Sequence, residues 1–313
     1  MSKTAFIFAG QGAQYPGMGK ELEENIKACK DIFQNADNAL GFSISKICFE
    51  GTVEELKSTE NAQPAILTMS IAAMTALVNA GIKPYAVAGL SLGEYSAMVC
   101  SGVLDFETAV KLVKKRGKFM DEAVPKGKGA MAAIIGLDEK EIRDICTQAS
   151  QKGVVEPANF NCPGQIVIAG EIAALEYASE LASERGARKV IKLSVSGPFH
   201  TSLLKEASDK LYRELIKIEL NPMKVPVLTN LSGDYINPTD DIKEILRRQV
   251  MSSVRWEDII RNMIKEGIDT FVEIGPGKAL SSFVKKTDRS VKVLNVEDMS
   301  SLNKTIDWLT NKE

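Results

Sequence analysis

Short apolar runs alternate along the chain with longer amphipathic or apolar stretches. Residues 4–9 form an apolar run of strand length, followed by a glycine-rich turn over 10–19. A polar helical region extends from there to about Leu40. Residues 61–80 predict a long helix with Pro64 in its first turn, where a missing N–H is tolerated. Residues 85–89 are a second apolar strand. Helices are predicted over 91–100 and 105–122, the second with Asp105 as N-cap.

The character changes at Pro125-Lys126-Gly127-Lys128-Gly129, a cluster of turn formers. Beyond it the predicted order is strand 130–135, helix 138–151, strands 154–159 and 165–169, helix 173–185 and strand 189–193. This β-α-β-β-α-β order is the split βαβ pattern of a small ferredoxin-like unit. The first pattern then resumes. A helix over 200–218 precedes a strand at 225–229, and helices follow at 240–249 and 256–266. A strand at 270–274 ends in Gly275-Pro276-Gly277. A helix from Lys278, a strand at 291–296 and a helix over 301–309 complete the chain. Apolar strands alternating with helices predict an α/β protein, a parallel sheet covered on both faces. The expected domains are a core of 1–126 and 196–313 and an inserted ferredoxin-like subdomain of 127–195.

Composition narrows the function. Of 313 residues, 44% are hydrophobic and 26% charged, enough apolar material for a sizeable core. Lysine and arginine number 39 against 41 acids, so no overall charge draws the chain to nucleic acid. The five cysteines form no C-x-x-C and do not suggest a disulfide scaffold. His200 is the one histidine, which excludes a two-histidine metal site and the H-E-x-x-H motif. The first apolar run is too short for a signal peptide. Residues 61–82 carry no charge, but Asn61, Gln63, Pro64 and Asn79 make them a poor membrane span. A cytoplasmic location is therefore expected.

The segment Gly89-Leu90-Ser91-Leu92-Gly93-Glu94 matches G-x-S-x-G between a strand and a helix. A serine on such a tight turn is strained and exposed, and the flanking glycines leave room for the backbone. The amide after it, that of Leu92, points where an oxyanion would form. Ser91 is the expected nucleophile, with a plain N-cap as the alternative. His200, in the loop Ser196-Gly197-Pro198-Phe199-His200-Thr201, is the one imidazole that could serve as its base. Among Asp105, Asp121, Asp138 and Asp144, none lies in a late strand-end loop before His200. An acceptor other than a carboxylate, such as a backbone carbonyl, is therefore the expected partner of its ring.

Gly10-Gln11-Gly12-Ala13-Gln14-Tyr15 fails as a dinucleotide fingerprint at Tyr15, and no nucleoside-triphosphate motif exists. It predicts a strand-end turn that carries Gln11 toward the site, or a turn alone. In Lys114-Lys115-Arg116-Gly117-Lys118 the lysines suit a solvated face. Arg116 could share that face, or point inward as a bidentate partner for a carboxylate.

With these motifs in order the chain resembles the malonyl-CoA:acyl carrier protein transacylases, bacterial-type enzymes that load malonyl units for type II fatty acid synthesis. The marks are Phe8-Ala9-Gly10-Gln11-Gly12-Ala13-Gln14, Gln63-Pro64-Ala65, Gly89-Leu90-Ser91-Leu92-Gly93-Glu94-Tyr95, Arg116-Gly117, Gly197-Pro198-Phe199-His200 and Glu273-Ile274-Gly275-Pro276-Gly277. The resemblance spans about residues 3 to 305. It implies an α/β-hydrolase-like core with a ferredoxin-like insert. It implies Ser91 as acylated nucleophile and His200 as base, with the Gln249 backbone carbonyl orienting the ring. The amides of Gln11 and Leu92 would form the oxyanion hole, and Arg116 would pair with the malonyl carboxylate. Leu90 stands where the family usually has histidine, in contact with substrate or with the loop near His200. Phe199 would leave little room for an α-methyl branch.

The resemblance implies ping-pong transfer from malonyl-CoA to the phosphopantetheine thiol of acyl carrier protein, by a monomer with no metal or redox cofactor. Lys114, Lys115, Lys118, Lys126 and Lys128 are candidates for docking the carrier. The rival readings are a polyketide or polyunsaturated-lipid acyltransferase, a serine acyl-thioester hydrolase, and an inactive carrier-binding scaffold.

Overall fold

The computed structural model describes residues 3–125, 127–195 and 197–311. Lys126 and Ser196, named above, lie outside the described residues. Among those residues the strands are β1 (Lys3–Phe8), β2 (Ala86–Gly89), β3 (Gly129–Ile135), β4 (Val155–Cys162), β5 (Gln165–Glu171), β6 (Lys189–Lys192), β7 (Ile268–Ile274) and β8 (Lys292–Val296).

They form two sheets. The first has the order β2-β1-β7-β8 with every pair parallel. Strands β1 and β2 read as unbroken apolar runs because both faces are covered. Ala5 to Phe8 and Ala86 to Gly89 are all buried. Register sets Phe8 beside both Gly89 and Ile274, so three strands end at one level. The turns that follow them, at Gln11, Ser91 and Pro276, leave from one edge. In open parallel sheets ligands bind in the crevice outside that carboxyl edge.

The second sheet has the order β4-β5-β3-β6 with every pair antiparallel. Helices Glu139–Ala149 and Ile172–Glu184 bury Ile142, Ile145, Leu175 and Ala178 against it in a separate apolar cluster. The whole is an α/β architecture with a parallel core and a separate ferredoxin-like subdomain.

The smaller sheet is stitched to the core along β4. Phe160 N–H donates to Val254 O at 2.9 Å, and Val254 N–H donates to Ala158 O at 2.8 Å. Ser253 Oγ donates to Pro157 O at 2.6 Å. Glu156 accepts from Ser202 N–H at 2.8 Å and from its hydroxyl at 2.6 Å.

Several boundaries differ from expectation. The long apolar helix is Thr59–Asn79, so Pro64 lies in its second turn. It starts early because Thr59 N–H, an otherwise orphan donor, is taken by Asp121 Oδ2 at 3.1 Å. By length and composition this helix could cross a membrane, yet 78% of its apolar window is buried inside the protein. The helix after the elbow is Gly93–Cys100, and Ser91 stands outside it at φ 53°. His200 also stands outside a helix, at φ 63°, and the regular helix begins at Lys205. The expected strand at 225–229 is reduced to two isolated bridges, one parallel between Val87 and Val227 and one antiparallel between Leu228 and Tyr235. Pro226 has no N–H to extend the ladder. The region to Leu40 is two helices, Lys20–Asn25 and Lys27–Leu40, broken at Ile26 in an extended conformation. Helices Ile44–Glu50 and Val53–Lys57 were not expected.

Candidate active site

The elbow forms because two glycines let backbones touch. A Cβ on Gly89 would lie 1.9 Å from the Gly93 carbonyl, and one on Gly93 would lie 2.2 Å from Phe8 O. Helix Gly93–Cys100 is thus pressed onto the ends of β1 and β2, and Ser91 is forced into left-handed backbone. That conformation costs a non-glycine residue about 1–3 kcal/mol and persists only where neighbours over-determine it. Here they do. Asn230 Oδ1 accepts from Ser91 N–H at 2.6 Å. The Ser91 carbonyl accepts from Gln249 Nε2 at 2.8 Å and from Glu94 N–H at 3.1 Å.

Ser91 Oγ lies 2.7 Å from His200 Nε2, and His200 Nδ1 lies 3.0 Å from Gln249 O. A carbonyl only accepts, so Nδ1 carries the proton and the Nε2 lone pair faces the serine hydroxyl. Burial, and then the Arg116 guanidinium, push the imidazole down from its ordinary 6.5 to about 4. The ring is neutral at pH 7.

Arg116 points inward from helix Phe106–Ala123 and is 1% exposed. Gly117 beside it allows this depth, since a Cβ there would lie 2.4 Å from Thr59 O on the neighbouring helix. Arg116 Nη1 donates to Gln63 Oε1 at 2.9 Å. Nη2 donates to Gln249 Oε1 at 2.9 Å and to Ser91 Oγ at 3.2 Å. Among the described residues no carboxylate lies within ion-pair distance of it. A buried cation held by amides and a hydroxyl suits an anionic partner.

The site opens into a cavity of about 440 Å³ between the two sheets. Gln11, Leu90, Ser91, Phe199 and His200 line it from the core, and Asn159, Asn161 and Gln165 from the subdomain. Gln11 reaches the wall because Gly10 packs against the elbow, where a Cβ would lie 2.5 Å from Leu90 O. Its side-chain amide is held by Thr59 Oγ1 at 3.1 Å. Leu92, buried, is the first residue past Ser91 and caps helix Gly93–Cys100. Glu273 is a helix anchor: its carboxylate accepts from Leu280 and Ser281 N–H at 3.0 and 2.6 Å.

Ser91, His200, Gln249, Arg116, Gln11, Leu92, Leu90 and Phe199 are thus brought together. Three of the five candidate docking lysines carry ion pairs. Lys114, Lys115 and Lys118 pair with Glu60, Glu214 and Glu122 at 2.9, 2.7 and 3.9 Å. Sequence reasoning missed Asn230, Glu94 and the Gln249 side chain. Glu94 had a signal, since it follows the elbow directly in an apolar helix. Asn230 had none, because only the tertiary fold brings it to the elbow. No group of three or more potential metal ligands occurs among the described residues.

The acyl transferase domain family matches residues 5–307. The malonyl CoA-acyl carrier protein transacylase of Bacillus subtilis is 49% identical over 310 residues, 99% of this chain and 98% of that protein. The crystal structure of the Clostridium perfringens transacylase superposes with a TM-score of 0.97 at 49% identity, covering 99% and 98% of the two chains. A malonyl-transacylase solved in complex with a type II polyketide acyl-carrier protein superposes with a TM-score of 0.95 at 39% identity, covering 98% and 99%. The chain belongs to the malonyl CoA-acyl carrier protein transacylases, within the acyl transferase domain family.

Proposed function

We propose that the chain transfers a malonyl group from malonyl-CoA to the phosphopantetheine thiol of acyl carrier protein, through a malonyl ester on Ser91. The observation that carries this is the Arg116 guanidinium, buried with no carboxylate at ion-pair distance among the described residues and 3.2 Å from the Ser91 hydroxyl. A plain acyl group has nothing to offer that cation, whereas the malonyl carboxylate does. The function fits the family to which the chain belongs.

Neutral His200 takes the proton of Ser91 through Nε2 as the oxygen attacks the thioester carbonyl. The imidazolium is held by the Gln249 carbonyl at Nδ1. The amides of Gln11 and Leu92 hold the tetrahedral oxyanion. The bond to sulfur then breaks, and the thiolate takes the His200 proton to leave as coenzyme A. Malonyl stays on Ser91. In the second half His200 takes the proton of the carrier thiol, whose sulfur attacks the ester. Ser91 leaves and regains its proton. Leu90 and Phe199 wall the acyl chamber.

Residues 1–126 and 196–313 act as the catalytic core in this proposal, and 127–195 as an inserted subdomain that closes the cavity. The working form is a cytoplasmic monomer. The burial of helix Thr59–Asn79 in the core agrees with that.

Intact mass after mixing with malonyl-CoA alone tests the function. A gain of one malonyl group is expected, with none in Ser91→Ala. In Arg116→Ala the preference for malonyl-CoA over acetyl-CoA should collapse, by roughly 100-fold if a buried charge-assisted pair of about 3 kcal/mol is lost. Steady release of coenzyme A with no adduct would favour the hydrolase instead.

A further inference from the structure

Glu94 is a fully buried carboxyl directly below the nucleophile, and no step of the reaction uses it. One of its oxygens, Oε2, accepts from two donors. Gln249 Nε2 lies at 2.9 Å and Asn230 N–H at 3.1 Å. Those two residues hold the rest of the site. Asn230 takes the Ser91 N–H with Oδ1 and ties to Gly89 O with Nδ2 at 2.7 Å. Gln249 spends its second amide hydrogen on the Ser91 carbonyl and its oxygen on Arg116 Nη2. Both ends of the strained Ser91 peptide and one arm of the guanidinium therefore hang from two amides that share one anchor.

We propose that Glu94 is a positioning residue whose Oε2 sets the spacing between the Ser91 nucleophile and the Arg116 clamp. The amide of Gln249 is saturated: two N–H groups donate and the oxygen accepts. Its orientation is fixed because one N–H must face an acceptor, and Glu94 Oε2 is that acceptor. Turning the amide over would set its NH₂ against the guanidinium, donor against donor. Glu94 thus makes the carboxylate clamp and the nucleophile one rigid unit. Burial raises its carboxyl above the usual carboxylate range, while the nearby Thr229, Gln249 and Asn230 donors and the charge of Arg116 act in the opposite sense. The role needs only the acceptor oxygen, so it does not depend on the charge.

This inference rests on malonyl transfer through Ser91, and wild-type protein in the same assay separates the two. A wild-type chain that gains no malonyl refutes the function, not the anchor. Three variants test the anchor itself. Glu94→Met fills the space without an acceptor. Glu94→Asp keeps the charge but falls one methylene short. Glu94→Gln keeps an oxygen for the two donors and turns its NH₂ toward the Thr229 hydroxyl. Single-turnover acylation by malonyl-CoA and by acetyl-CoA is followed by intact mass, with circular dichroism to confirm the fold.

The Met variant should lose at least tenfold in malonyl acylation rate and most of its malonyl-over-acetyl preference. The Gln variant should stay within about fivefold of wild type in both. If the Met variant does not fold, the Asp variant should show the same losses. A merely structural role would lower stability without altering the preference. Wild-type preference in a folded Met or Asp variant, or equal losses in Gln and Met, would overturn the proposal.

Discussion

His200 has one proton to place and two neighbours that decide where it goes. The Gln249 carbonyl takes the Nδ1–H, and Ser91 meets the bare Nε2. The same burial that keeps the ring neutral has a signature in pH. The folded value, about 4, lies below the ordinary 6.5. Between these values the unfolded chain binds a proton that the native chain does not. The contribution of this group to stability is therefore complete above pH 6.5, declines as pH falls through the window, and levels off near 4. Thermal melts across that range should show the decline, and His200→Asn should remove that part of it. The single-turnover acylation rate should stay flat down to about pH 5 and then fall with one protonation. Ser91 and His200 were legible as residues because each follows a local cue, a glycine-bounded turn and the lone imidazole. Arg116 was open between two faces of its helix, and burial against Tyr95, Gln63 and Gln249 decides it. The Asn230 contact spans 139 positions, and no local pattern encodes a contact of that range.

The secondary-structure elements were legible where they were long or punctuated. β4 and β5 are separated by Pro163-Gly164, and both helices on the smaller sheet have boundaries within two residues of expectation. Helices Ile44–Glu50 and Val53–Lys57 are too short to show a periodic face. Yet the box formed by Thr52 and Glu55 was available as a signal for the second. The strand at 225–229 failed on Pro226, and the helix at 200 failed because His200 needs left-handed backbone to reach Ser91. The elbow itself is a packing device. Gly93→Ala would drive a Cβ into Phe8 O at 2.2 Å and part the helix from β1. Denaturant melts should show a loss of more than about 3 kcal/mol, or no folded protein. Gly81→Ala is the contrast, since Gly81 is also left-handed but nothing lies near its Cβ. Its cost should stay near 1 kcal/mol.

For the molecule as a whole, the reaction takes place at a seam. His200 and the Gln249 carbonyl come from the core, but the segments just after them are tied to β4 of the smaller subdomain. Ser202 is held by Glu156, and Ser253 and Val254 by the β4 backbone. Alignment of His200, the base of the proposed reaction, is thereby linked to the seating of the subdomain. Glu156→Ala removes the Ser202 tie without touching the cavity. It should lower the melting temperature by only about 2–4 °C in a chain of this size. The acylation rate should drop severalfold, read by the same intact-mass assay. The element orders of core and subdomain were both legible because the parallel strands are apolar on two faces and the helices of the smaller sheet bury a periodic face in a cluster of their own. The seam was not, since its bonds join residues about 50 to 100 positions apart through backbone groups and polar side chains that carry no local pattern.

That seam also keeps time. The amide hydrogens of Phe160 and Val254 each point across it to a carbonyl on the other side. Neither can trade its hydrogen for deuterium until the two bodies part there. Their exchange rates, followed with malonyl-CoA, with carrier protein and with neither, would record how often the chamber opens at each stage of turnover. The unaltered chain carries its own clock for admitting water to the ester it must protect.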